Sequence, residues 1–428
     1  TPAIKRRDWK IIGLIGAGHS CSHFFQLVFP TLFLPLAGEF GFDFVQLGFL
    51  VSVFFIISSL GQASSGFVVD RIGPTPVLRF GLACFVLSGV LIGLSTNYAM
   101  LVIAAVIGGA GNSVFHPVDF SIINHRVSSR RLGHAFSTHG FTGNLGWALT
   151  PVFMTTLIHL ADWRVAAFGA AGLVAAVLLL IWIGRDLLAG RNEELAARSP
   201  KAKSAPEQAR RHAEDETIDL AQQSVGRTLA TLLTQPALWG AFFFFACTSI
   251  AISAVQNYTI PMLGDVYGID KVMAGTTLSG YMLASALGMI AGGFLVGATP
   301  NNERTVALSL IAAGGLLVLL ASGVLISPLA MIVVGLAGFC AGVATPSRDM
   351  LIRRVTPKGA TGTVYGLVYS GMDVGASLGP VGFGLMLDAG HTQGPWIGAA
   401  AAFGIAAWLA CMVARSVNGR SRAQVAAG

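Results

Sequence analysis

Long apolar stretches recur along the chain, separated by short polar breaks. A bilayer core about 30 Å thick takes roughly 20 apolar residues per helix. On that rule twelve spans are predicted, at roughly 11–36, 45–69, 77–95, 99–123, 135–160, 165–185, 237–262, 273–297, 305–324, 329–352, 361–388 and 395–415. Ten of the eleven connections are short, and the exception covers about 186–236. The first run, from Ile11, is too long for a signal-peptide core and reads as a retained helix.

The pattern repeats. The second span ends Leu60-Gly61-Gln62-Ala63-Ser64-Ser65-Gly66-Phe67-Val68-Val69-Asp70-Arg71, and a second copy begins at Leu287, with Gly288, Gly293, Phe294 and Val296 in register. Upstream, Gly48, Ser52 and Phe54 fall on Gly275, Ser279 and Tyr281. Pro117 is echoed by Pro346, and Arg126-Val127 by Arg354-Val355. The fifth span carries Gly140, Gly143, Gly146 and Pro151; the eleventh carries Gly371, Gly375, Gly379 and Pro380. Such repeats mark one half-protein written twice. The expected organisation is a six-helix bundle at 1–185, a cytoplasmic linker at 186–236 and a second six-helix bundle at 237–428. Asp70 is the informative asymmetry, because Gly297 stands at its repeat position.

Composition sets the solvent. The 428 residues are 54% hydrophobic and 11% charged, with mean hydropathy +0.70; soluble proteins carry about 25% charged residues. A lipid bilayer is the expected surrounding and a monomer the expected state. Of the 27 Lys and Arg, only Arg164 and Lys271 fall opposite the others when both termini are placed in the cytoplasm, as the positive-inside rule requires. The net charge of +7 is therefore mostly a topology signal, and no nucleic-acid partner is expected. Cys21, Cys84, Cys247, Cys340 and Cys411 lie in apolar runs without metal or redox spacing and read as core residues. No phosphate-binding G-x-x-x-x-G-K-[ST] loop is present, so an ion gradient is the expected energy source and no cofactor is expected.

Ionisable groups at membrane depth are costly and are functional candidates by default. At about 1.5 Å per residue, His19 and His23 come out roughly 12 and 18 Å from the cytoplasmic end, with Gln26 on the same stripe. Tyr365, Tyr369 and Asp373 form a second stripe, and Asp373 near the midplane is the leading acid for proton coupling. The histidine pair suits proton or substrate work, half of a metal site, or structural hydrogen bonding. A metal needs more ligands at one depth. His116 and His139 come out nearer the cytoplasmic end by the same arithmetic, so no metal is expected. Asn112, His116 and Asp119 share one face of the fourth span. Pro117 is expected to kink it. Coupling of His116, Asp119 and His139 competes with a plain helix-end packing cluster. Asn144 and Asn257 are further candidates to line a cavity, and Arg348-Asp349 reads as a self-neutralised pair.

Gly66-Phe67-Val68-Val69-Asp70-Arg71-Ile72-Gly73 resembles the G-x-x-x-D-R-x-G signature of the major facilitator superfamily, and the twelve spans, 6+6 repeat and long middle segment resemble it too. The resemblance implies an all-α membrane protein with twelve transmembrane helices, 6+6 pseudo-symmetry and cytoplasmic termini. It also implies that both polar stripes face a central cavity. Gly66, Asp70, Arg71 and Gly73 would form a conformational latch, with Asp70 against the N-terminus of the eleventh span. Pro74-Thr75-Pro76 stand where the signature normally continues with basic residues. Gly109-Ala110-Gly111-Asn112-Ser113-Val114-Phe115-His116-Pro117, with Ser22-His23 and Gly38-Glu39-Phe40, is similar to the fosmidomycin-resistance type of efflux protein, although Val118 separates the His-Pro pair from Asp119. The implied function is secondary transport of a small molecule in the cytoplasmic membrane, as proton-coupled efflux. Proton-coupled uptake of a small organic acid is the alternative. An intramembrane enzyme or a sensor is not expected.

Overall fold

A computed structural model describes residues 2–189, 234–299, 301–355 and 361–427. The greater part of the linker predicted at 186–236 lies outside the described residues. Every long element among them is an α-helix. The first half comprises α1 (Pro2–Gln26), α2 (Val28–Thr31), α3 (Phe33–Phe40), α4 (Phe44–Ile72), α5 (Pro74–Leu94), α6 (Tyr98–Asn112), α7 (Phe115–Arg126), α8 (Leu132–Leu160), α9 (Trp163–Ile183) and the short α10 (Arg185–Ala189). The second half comprises α11 (Pro236–Tyr267), α12 (Lys271–Ala298), α13 (Asn302–Ala321), α14 (Ser327–Val355), α15 (Thr361–Asp388) and α16 (Gly394–Ala427).

Local chemistry explains where the helices begin. At one end of the molecule polar side chains cap them, satisfying N–H groups that have no partner within the helix. Asp43 accepts from Gln46 N at 2.7 Å in a capping box, Asn97 from Met100 N at 3.1 Å, and Asp162 from Val165 N at 2.8 Å. Asp270 accepts from Val272 N and Met273 N, both at 3.0 Å. This is termed the far end; the opposite end carries Lys5–Lys10, Arg126 and Arg131 and is termed the basic end. There α5 and α11 begin with proline, whose missing N–H is harmless in a first turn. Gly73, at φ +85°, makes the sharp passage from α4 to α5, a backbone region that glycine enters without strain.

Two predicted spans are interrupted. The first runs as α1, α2 and α3, and the fourth breaks between α6 and α7 at Ser113 and Val114. Pro117 then sits in the first turn of α7, and the expected kink falls at this short interruption of an otherwise continuous helical stretch from Tyr98 to Arg126.

The halves pack alike. In the first, α1 lies on α8, α6 on α4 and α5, and α9 on α5. In the second, α11 lies on α15, α14 on α12 and α13, and α16 on α13. Each pairing in one half has its repeat-related pairing in the other. Across the halves α4 meets α15, and α8 meets α12, which is the same contact after exchange of the repeats.

Nine helical stretches among the described residues are long and apolar enough to cross a membrane by length and composition. The helices α1, α8 and α15 are not among them. Those three carry most of the polar candidates, and polar residues lower the mean hydropathy by which a span is recognised.

The halves are fastened toward the far end. The Asp388 carboxylate, at the last turn of α15, accepts from Phe44 N at 2.9 Å and Val45 N at 2.8 Å at the start of α4. Ser52 donates to Ser377 O at 2.5 Å and Val152 N to Ser279 Oγ at 3.1 Å, while Tyr258 of α11 donates to Pro380 O within the second half. At the basic end Asp8 is buried and receives Ser128 Oγ at 2.5 Å and Arg131 Nη1 at 2.9 Å. Burial raises the Asp8 pKa, but these hydrogen bonds and the guanidinium charge outweigh it and hold the carboxyl below its ordinary value.

Candidate functional site

Asp119, on the second turn of α7, is fully buried. Its Oδ2 lies 3.0 Å from Nδ1 of His19 on α1 and 3.1 Å from Nε2 of His139 on α8. The two imidazoles stack with ring centroids 3.5 Å apart. His139 donates to the carboxylate in good geometry. His19 Nδ1 is close but out of line for a hydrogen bond, and Asp119 Oδ1 has no partner. His116, one turn before Asp119, brings its ring to 5.5 Å from His19 and 6.1 Å from His139. Unlike the other three it is solvent-exposed, and so forms the open edge of a buried cluster.

This gathering corrects the depth arithmetic. Counted from 123 and 135, His116 and His139 seemed too near the basic end to meet His19. The helices run on to Arg126 and start at Leu132. That places His116 about 15 Å and His139 about 10 Å from their basic ends, while α1 itself begins at Pro2, about 25 Å before His19, so the helix ends do not lie at one level and counting from them gives no common depth. The helix ends were misjudged because polar turns look like loops in a hydropathy pattern.

Toward the far end the same helices build a polar wall. Asn112 Oδ1 accepts from Ser22 Oγ at 2.8 Å and Gln26 Nε2 at 3.2 Å, while its Nδ2 donates to Ser58 Oγ at 2.8 Å. Gln26 Oε1 accepts from Trp147 Nε1 at 2.9 Å. The His23 ring lies 4.2 Å from the Trp147 ring, and its Nδ1 is buried without a partner. Asn112 thus joins α6 to α1 and α4, and Gln26 extends the network to α8. Trp147 and Ser58 escaped sequence reasoning. A lone Trp among glycines on a polar helix was the available signal for the first; nothing marked the second.

Other candidates fall elsewhere. Asn144 is buried and donates to Gly140 O, one turn back on its own helix, at 3.0 Å. Asn257 bonds Ser253 O and Oγ on α11 at 2.7 and 3.0 Å, leaving its Oδ1 unpartnered. On α15, Tyr369 packs on Phe245 at 4.8 Å, with its hydroxyl 3.5 Å from Asp349. Arg348 Nε lies 2.9 Å from Asp349 Oδ1, so that pair does neutralise itself. Asp373 is half-buried at the seam between halves, beside Ser59 of α4, whose hydroxyl donates to Phe55 O at 2.7 Å. The side chains of Tyr365 and Asp70 lie outside the described residues. Arg71 is exposed, and Gly66 has open space where a Cβ would stand.

Comparison with known proteins agrees with the repeat and the fold. Residues 15–336 match the family model described as Major Facilitator Superfamily. The chain is 33% identical over 176 residues to the fosmidomycin resistance protein of Escherichia coli (strain K12), covering 41% of this chain and 43% of that one, so it spans less than half of that relative. It is 24% identical over 419 residues to the membrane sensor protein UhpC of the same organism, covering 94% and 92%. A bacterial homologue of the human lysosomal transporter Spinster, solved inward-facing and unoccupied, superposes with a TM-score of 0.70 at 15% identity, covering 97% of each chain; that likeness is one of fold. Helical pairing, repeat and family match converge: this chain is a multi-pass membrane protein, a transporter by family rather than an enzyme, and it belongs to the Major Facilitator Superfamily.

Proposed function

We propose that the protein is a secondary transporter that expels a small organic molecule in exchange for protons, by alternating access. The observation that carries the reading is the seam between the halves. Asp388 fastens the far end, while Asp373, a half-buried acid, sits deeper along the same helix pair against Ser59. With the basic end in the cytoplasm, the described conformation is closed outward. Substrate enters from the basic end and meets the wall of Gln26, Asn112 and Trp147, with His23 beside it. Asp373 is the coupling acid: protonation removes its charge at the seam and shifts the packing of α15 on α4. The protein works as a monomer in the cytoplasmic membrane. The fosmidomycin-resistance likeness in the first half supports export of a drug-like compound.

A thermal-stability screen of compounds at two pH values identifies the cargo, since a ligand that binds the folded state raises its stability. Reconstituted into liposomes, the protein should then move that compound when a pH gradient is imposed. Flux indifferent to the gradient would overturn proton coupling, and accumulation along the proton flow would replace export by uptake. The likeness to a sensor along nearly the whole chain supports a second reading, in which the compound binds without net flux; the same assay separates the two.

A further inference from the structure

We propose that His19, His116 and His139, with Asp119, form a binding site for one divalent transition-metal ion of the zinc type. Donor chemistry is the first argument. Three imidazoles and one carboxylate are a ligand set that Zn²⁺ and its neighbours accept, whereas Ca²⁺ and Mg²⁺ call for oxygen ligands. Spacing is the second. Ligands about 2.0–2.1 Å from a tetrahedral ion stand roughly 3.3–3.4 Å from one another. Asp119 Oδ2 already lies 3.0 Å from His19 Nδ1 and 3.1 Å from His139 Nε2. One nitrogen from each of the three histidines lies within 4.8 Å of the others. His116 is the outlier, and as the exposed member it has room to swing inward by the remaining ångström or so.

Unspent valence is the third argument. His19 Nδ1 and Asp119 Oδ1 are buried atoms without a hydrogen-bond partner. Buried polar groups in folded proteins are nearly always paired, so two adjacent orphans facing each other's residues mark a place where something else binds. His116 leaves the cluster an exposed edge. The ion would tie α1, α7 and α8 together at the very break that separates α6 from α7. This inference concerns binding alone, so it stands or falls separately from the transport reading.

The test uses the full chain, purified, stripped with a chelator and titrated with Co²⁺, then Zn²⁺. One Co²⁺ per chain should bind with the intense visible absorption of a tetrahedral site and be displaced by one Zn²⁺. His116→Ala touches only the exposed ligand and should weaken Co²⁺ by about tenfold or more. His19→Asn should abolish the tetrahedral spectrum, and His391→Ala, at an exposed far-end histidine, should change nothing. Absence of stoichiometric binding, a six-coordinate spectrum, or affinity unmoved by His116→Ala would each overturn the proposal. Should His19→Asn fail to fold in a thermal melt, His116→Ala decides the question by itself.

Discussion

At the scale of the residue, two buried acids have different neighbours and should behave differently when neutralised. Asp373 sits half-buried at the seam beside Ser59, so Asp373→Asn keeps the size and polarity but loses the titration. It should abolish pH-gradient-driven flux in liposomes while leaving substrate exchange without a gradient intact; retained accumulation would remove Asp373 from the coupling role. Asn112 satisfies three side chains at once. Asn112→Ala leaves them unpaired and should lower stability by about 1–3 kcal/mol per stranded group that water cannot reach, seen as a fall in the melting temperature of the purified protein. Asp8 carries a pH signature. Its folded pKa is depressed, so its stabilisation is fully present above the ordinary carboxylate value and is lost as pH falls through the folded value. Asp8→Asn should therefore lower the melting temperature near neutral pH, by about 2–4 °C per kcal/mol for a unit of this size, and should matter little in acid. The stripe of His19, His23 and Gln26 was legible from helical spacing. Their partners Asp119, His139 and Trp147 were not, because each lies about a hundred residues away on another helix.

At the scale of the element, the repeat explains why the same glycines recur. Gly146 of α8 lies against Ser20 O of α1, and Gly375 of α15 lies against Ala246 O of α11. These are repeat-related crossings where one backbone approaches another, as small residues permit in membrane helices. A side chain there meets a carbonyl that cannot step aside. Gly146→Leu and Gly375→Leu should each cost about 3 kcal/mol or more, at the upper end for overpacked cores, and give protein that fails to elute as a single folded species. Gly140→Ala, where a Cβ meets nothing within 4 Å, is the matched control and should be tolerated. The glycine pattern could be read from the sequence. Which carbonyl each glycine faces could not, since that depends on how the helices cross.

At the scale of the whole molecule, the far-end fastening should set the balance between conformations. Asp388 places its charge on two backbone N–H groups at the start of α4, where the helix dipole favours an anion. The contact is exposed, so about 1 kcal/mol is a fair magnitude, which is roughly a fivefold shift in a two-state equilibrium. Asp388→Ala should raise the population open at the far end by about that factor. Spin labels at exposed Thr96 and Thr392 would report it as growth of a longer distance, and an unchanged distribution would show that the fastening lies in the packing of α4 on α15. Raised salt should move the wild-type protein the same way by screening the contact.

Periodic apolar runs, the doubled pattern and the skew of basic residues determined by themselves that this chain lives in a bilayer as two related bundles. Those properties are summed over tens of residues, so errors at single positions average out. The signature around Asp70 and Arg71 pointed to the family for a different reason: its residues are adjacent in sequence. Tertiary structure alone decided that Asp119 meets His19 and His139, that Asn112 joins three helices, and that Asp388 caps a helix beginning more than three hundred residues earlier. Such contacts depend on crossing angles and helix ends to within an ångström or two, and hydropathy carries no information at that resolution.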